Sequence, residues 1–86
     1  MRLVFTATGW ADYQHWQQVD RAQVRRINKL IEGTLRDPFD GIGKPEQLRH
    51  GLSSAWSRRI TEEHRLVYVV QGDDIVIFQA RYHYEK

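Results

Sequence analysis

The chain has no cysteine, only two prolines among its 86 residues, and no apolar run longer than four or five residues. Without cysteine, disulfides and zinc–thiolate sites are excluded, and a reducing compartment is compatible with the composition. The short apolar runs fall far below the ~20 residues of a membrane-spanning helix. The opening MRLVFTATGW lacks the charged region followed by a longer apolar one that marks an export signal. A soluble, cytoplasmic protein with no membrane association is expected. No repeat, low-complexity tract or linker divides the sequence, so residues 1–86 are read as one domain. A domain of this size buries only roughly 60% of its unfolded surface, and here no covalent cross-link adds to the core.

Lysine is also scarce, for ten of the thirteen cationic residues are arginine, against a formal net charge of +2. A guanidinium is a planar fork that bonds phosphate oxygens two at a time, whereas an ammonium acts more as a point charge. Three tryptophans, four tyrosines and three phenylalanines add flat surfaces on which bases can stack. On composition alone, the plain reading is that the aromatics fill a small core and the arginines keep the surface solvated.

Arg2 to Phe5 reads as a short strand. Thr8 precedes a helical spacing through Trp10, Tyr13 and Trp16 and is the expected N-cap. Asp20 opens a second helix, with Gln23 three residues on and apolar residues at Val24, Ile27, Leu30, Ile31 and Leu35 along one face. Arg21, Arg25, Arg26, Lys29 and Arg36 lie mostly on the other. Asp37-Pro38 ends it, since the residue before proline is biased out of the helical region. PFDGIGKP (38–45) is a structured loop. Strands are expected at Glu46–His50, Trp56–Thr61, Arg65–Val70 and Ile75–Tyr84, with hairpin-length connections between the last three. The order β-α-α-β-β-β-β predicts an α+β domain, two N-terminal helices on one face of a small, twisted, mainly antiparallel sheet.

The second half carries the strongest signal. Its strands hold Arg58, Arg59, Arg65 and Arg81 and close on His83 between Tyr82 and Tyr84. Alternation places Ser57, Arg59 and Thr61 on one face and Trp56, Arg58 and Ile60 on the other; likewise Gln79, Arg81 and His83 oppose Phe78, Ala80, Tyr82 and Tyr84. A ligand belongs on the face that the helices leave open. A cationic sheet ending in an imidazole suits binding and cutting a phosphodiester. The plainer readings are Arg59 and Arg65 paired with Glu62, Glu63 or Asp73, His50 and His64 as surface residues, and Trp10, Tyr13 and Trp16 as core or dimer contacts.

GKPEQL (43–48), WSRRITEEHRLVY (56–68) and RYHY (81–84), with DYQHWQ (12–17), INKLI (27–31) and DPF (37–39) in register, closely resemble the YoeB toxins. That family belongs to the RelE-like superfamily of toxin–antitoxin ribonucleases. The resemblance implies a type II toxin, a small endoribonuclease that enters the 70S ribosome and cuts mRNA in the A site, arresting translation, with no metal and no cofactor. It also implies a YefM-like antitoxin with a disordered segment that folds on binding, and a homodimer.

By the same resemblance Glu46 is the base for the ribose 2′-hydroxyl, a carboxylate being ionised at neutral pH. Arg65 stabilises the developing charge, and Arg49 and Arg59 hold phosphates. His83 is the acid for the 5′-oxygen, because imidazole titrates near neutrality, and Tyr84 orients the scissile phosphate. Arg49 stands where the family often has lysine and Gln47 where proline is common, and Glu85-Lys86 follow a tyrosine at which members often end. Two alternatives remain at this point: a degenerate module that binds ribosomes or RNA without cutting, and a DNA-binding autoregulator reading through the helix from Arg21 to Arg36.

Overall fold

The computed structural model describes residues 1–52 and 54–82. Its elements are β1 (Arg2–Phe5), α1 (Ala7–Val19), α2 (Arg21–Arg36), β2 (Glu46–Gln47), β3 (Ala55–Arg59), β4 (Arg65–Gln71) and β5 (Asp74–Gln79). The five strands form one sheet in the order β1-β5-β4-β3-β2. The α+β expectation holds. Three of the four pairings are antiparallel, and β1 joins parallel to β5, making the sheet mixed.

Both helices start on side-chain caps. Asp20 accepts from the Ala22 amide at 3.0 Å, as its place before the apolar stripe predicts. The cap of α1 is Thr6, not Thr8. Its hydroxyl accepts from the Gly9 amide at 3.0 Å, while its own amide donates to the Ile77 carbonyl, so the residue that leaves the sheet also begins the helix. On α2 the apolar stripe buries Ile27, Leu30 and Ile31 against Leu66, Tyr68, Ile75 and Ile77 of the sheet and Ile60 just beyond β3, with Trp16 from α1. The helices therefore cover one sheet face. Among the described residues no helix is long and apolar enough to cross a membrane.

Three strands are shorter than their letters suggest. β2 keeps only Glu46 and Gln47 of the expected 46–50, and the chain soon turns at Gly51, where φ is +88°. β3 stops at Arg59, because the Ile60 and Thr61 amides both donate to the His64 carbonyl and close the turn. β5 stops at Gln79, well before Tyr84. Beyond it the Ala80 amide donates to Asp12 Oδ2 at 2.9 Å and the Ala80 carbonyl accepts from Trp16 Nε1 at 2.8 Å. Side chains of α1 thus take the backbone groups that a continuing strand would offer its neighbour.

β1 is held at the sheet edge by a fork-to-fork contact, Arg2 Nε and Nη2 donating to the Asp74 carboxylate at 2.8 and 2.9 Å. That hydrogen bond holds the Asp74 carboxyl below its ordinary range. The approach of α1 to β5 depends on Gly9, since a Cβ there would collide with the carbonyl of Ile77. Gly9→Ala is expected to cost about 1–3 kcal/mol through this overpacking; urea denaturation measures it, and an unchanged midpoint would contradict the close approach.

Candidate active site

The loop between α2 and β2 is shaped by a residue the sequence suggested as part of a cationic face. Arg58 is fully buried, at 0% exposure. As alternation indicated, it shares the helix-covered face with Trp56 and Ile60, and there it is a core residue, not a phosphate ligand. Its Nη2 donates to the carbonyls of Asp37 at 2.6 Å and Asp40 at 3.0 Å, its Nη1 to that of Ile42 at 3.0 Å, and its Nε to the Tyr68 hydroxyl at 3.1 Å. Tyr68 in turn donates to the Pro38 carbonyl. Since Asp37 is the C-cap of α2, the guanidinium also sits at the negative end of the helix dipole.

Close packing completes the loop. Gly43 has φ of +82°, and a Cβ there would lie 2.6 Å from Leu30 Cδ2 and 3.1 Å from Arg58 Cβ. Its carbonyl accepts from the Arg59 amide at 2.7 Å, and Phe39 packs on Trp56 with ring centroids 4.9 Å apart. The chain leaves this anchored loop through Pro45 straight into Glu46.

Strand register then sets the site. Glu46 lies opposite Ser57, Ser57 opposite Val67, Val67 opposite Gln79, and Arg59 opposite Arg65. Opposed residues share a face, as do alternate residues along a strand. Glu46, Arg59 and Arg65 therefore stand on the face away from the helices. With strands about 4.8 Å apart and a rise of about 3.3 Å per residue, their backbones are on the order of 8 Å (Glu46 to Arg59) and 12 Å (Glu46 to Arg65) apart. Three long side chains across that span can meet on one phosphodiester. Glu46 and Arg49 also line an open groove of about 790 Å³ together with Gln47 and Leu48.

The two arginines are held differently. Arg59 is exposed, with its amide on Gly43 and its carbonyl accepting from Arg26 Nη2 at 3.0 Å. Arg65 is half-buried, and its Nη1 donates to the carbonyls of Thr61 at 2.7 Å, Glu62 at 2.8 Å and His64 at 3.2 Å. Among the described residues, neither arginine forms a salt bridge with Glu62, Glu63 or Asp73. Arg81 places its guanidinium 5.1 Å from the centre of the Tyr82 ring. His83 and Tyr84 lie outside the described residues. No group of three His, Asp or Glu side chains among the described residues converges as metal ligands would.

Whole-chain comparison decides the family. Residues 5–84 match the model of the YoeB-like toxin of bacterial type II toxin-antitoxin systems. The chain belongs to the YoeB toxin family. A Toxin YoeB of Streptomyces coelicolor is 57% identical over 98% of this chain and all of its own length. A YoeB/ParE toxin from Agrobacterium tumefaciens superposes with a TM-score of 0.94 at 48% identity, covering 98% of this chain and all of that one. A YoeB–YefM complex from Staphylococcus aureus gives a TM-score of 0.88 at 40% identity, with 98% of each chain covered. The RelE-like fold expected of a YoeB toxin is thus present across the described residues.

Two parts of this YoeB architecture escaped sequence reasoning. Arg58 read as a free cation, although its place between Trp56 and Ile60 already carried the signal of an inward face. His64 read as a surface residue, yet its side chain is only 14% exposed and lies edge-on to Trp16 with centroids 4.9 Å apart. Among the aromatics, Trp16 is core as expected, while Trp10 is 46% exposed and stacks on Tyr13.

The buried and exposed arginines should separate in stability. Arg58→Met leaves three loop carbonyls unanswered and is expected to destabilise by about 3 kcal/mol or more, whereas Arg59→Ala should stay within about 0.5 kcal/mol. Urea denaturation of both variants checks this, and equal midpoints would contradict it. Tyr68 gives a second test. Burial pushes its hydroxyl above the ordinary value of 10.0, against the opposing hydrogen bond from Arg58. With the folded value raised, its contribution to stability is whole below the unfolded value and is lost as pH rises through the folded one. Denaturation midpoints should therefore fall above about pH 10, and in Tyr68→Phe that part of the fall should disappear.

Proposed function

We propose that the chain is a ribosome-dependent endoribonuclease that cuts mRNA in the ribosomal A site and so inhibits translation. Glu46 takes the proton from the ribose 2′-hydroxyl as that oxygen attacks the adjacent phosphorus. Arg65 and Arg59 stabilise the extra negative charge on the phosphorane, and Arg49 holds a neighbouring phosphate. The bond to the 5′-oxygen then breaks, and His83 gives that oxygen its proton. The products are a 2′,3′-cyclic phosphate and a free 5′-hydroxyl. Tyr84 orients the scissile phosphate. The bond changes occur at phosphorus alone, and these side chains supply the proton transfers and charge contacts that accompany them, on mRNA held by the ribosome.

What supports this reading most is the sheet face shared by Glu46, Arg59 and Arg65, with the carboxylate on an edge strand that follows a loop fixed from beneath. The division of the sheet adds to it, because the helices occupy the opposite face, while Glu46 and Arg59 stay exposed on this one. Cytoplasmic action follows from a ribosomal substrate. A YefM-like antitoxin and a second copy of the chain are the proposed protein partners, by analogy with the YoeB–YefM complex and the YoeB dimer of Staphylococcus aureus.

The deciding experiment incubates the protein with mRNA, with and without programmed ribosomes, and maps the new 3′ ends. Cuts at A-site codons are expected only with ribosomes. Glu46→Ala and His83→Gln should each slow cleavage by about 10²–10⁴-fold without loss of ribosome binding. Intact mRNA on ribosomes that have bound the protein would leave the non-catalytic binding module as the correct reading.

A further inference from the structure

The turn that follows β5 is stitched down at both ends. Ala80 is held by Asp12 and Trp16 of α1, and Gln79 Nε2 donates to the Arg81 carbonyl at 2.8 Å. Tyr82 is held by the β3–β4 turn. Its amide donates to His64 Nδ1 at 2.7 Å, and its carbonyl accepts from the Arg65 amide at 3.1 Å. Tyr82 has φ of +58°, a left-handed conformation that costs a non-glycine residue about 1 kcal/mol or more and persists only where its surroundings impose it. The two hydrogen bonds on Tyr82, with its ring 5.1 Å from the His64 ring, supply that imposition.

We propose that His64 is a positioning residue for the reaction: its Nδ1 anchors the Tyr82 amide and so holds Tyr82, the residue that precedes His83 and Tyr84 in the chain. This rests on the catalytic reading above and adds to it a residue that touches no substrate. Nδ1 can accept only when it carries no proton, so the ring bears its proton on Nε2, which lies 3.6 Å from Glu63 Oε1. The arrangement is economical in its wiring. The Arg65 residue assigned to the phosphate gives its backbone amide to Tyr82, while its Nη1 grips the carbonyl of His64 itself. The phosphate-binding cation and the entry to the acid are thereby set by the same few backbone atoms.

Two substitutions separate the acceptor from the ring. In His64→Asn the side-chain oxygen can take the place of Nδ1, while in His64→Gln the polar atoms reach toward the position of Nε2; both remove the packing of the imidazole on Trp16 and Tyr82. The purified full chain is assayed for cleavage of mRNA on programmed ribosomes, for ribosome binding and for hydrogen exchange at the Tyr82 amide. His64→Gln should lose about 10²-fold in cleavage rate through misplacement of the acid, bind ribosomes as the unsubstituted chain does, and exchange the Tyr82 amide faster. His64→Asn should keep most of the rate and the slow exchange. Equal rates and equal exchange in the two variants would overturn the proposal, whether both were high or both low. If the unsubstituted chain cuts nothing, the catalytic reading falls and the positioning role with it; the exchange measurement would then show only whether the anchor exists.

Discussion

A single buried cation organises this domain. Taking a guanidinium out of water costs several kcal/mol unless its donors are met, and Arg58 meets the cost with four hydrogen bonds, none of them to a carboxylate. Three of the acceptors are carbonyls at the end of α2 and along the following loop, which have no helix or strand partner to satisfy them, and the fourth is the Tyr68 hydroxyl. Cation and loop solve one another's problem: the loop supplies lone pairs to a charge stranded in the core, and the charge supplies donors to a backbone with no ladder. A lysine has no planar fork to reach acceptors in several directions. The result is a glycine-containing loop with one defined path, which delivers Glu46 to the edge of the sheet.

The two sheet faces divide the work cleanly. One is sealed by the helices and holds most of the apolar core, Tyr68 included, together with the buried Arg58. The other presents Glu46, Arg59 and Arg65, placed by register alone. Side chains on strands gain precision from the ladder beneath them, and here even the loop that leads into Glu46 is tied to the ladder, through Gly43 to Arg59. The marginal stability expected of so small a domain is thus compatible with a site whose geometry is locally over-determined.

Much of this was legible in the letters, because periodicity reports burial directly. The stripe on α2, the Asp20 cap and the face shared by Ser57 and Arg59 all follow from spacing. The readings that failed did so where one residue's role depends on another far along the chain. Thr6 and Thr8 are equivalent caps by sequence, and only the bond from Thr6 to Ile77 favours the first. Alternation runs on past Gln79, but Asp12 and Trp16, more than sixty residues away, take over the backbone at Ala80. An arginine between Trp56 and Ile60 looked like charge on a strand, since nothing local announces the carbonyls that surround it. His64, in a turn between charged residues, gave no sign that it faces Trp16.

The parallel pairing of β1 with β5 carries a consequence for how the domain comes into being. Arg2 finds its partner at Asp74, so the sheet is closed by its most distant segments, and β5 must slot between β1 and β4. Such long-range closure makes folding slow relative to local helix formation. During synthesis, β2, β3 and β4 emerge with Glu46, Arg59 and Arg65 already aboard, yet β1 has nothing to pair with and α1 has no β5 on which to rest. A partial chain carries most of the proposed chemistry without the frame that aims it.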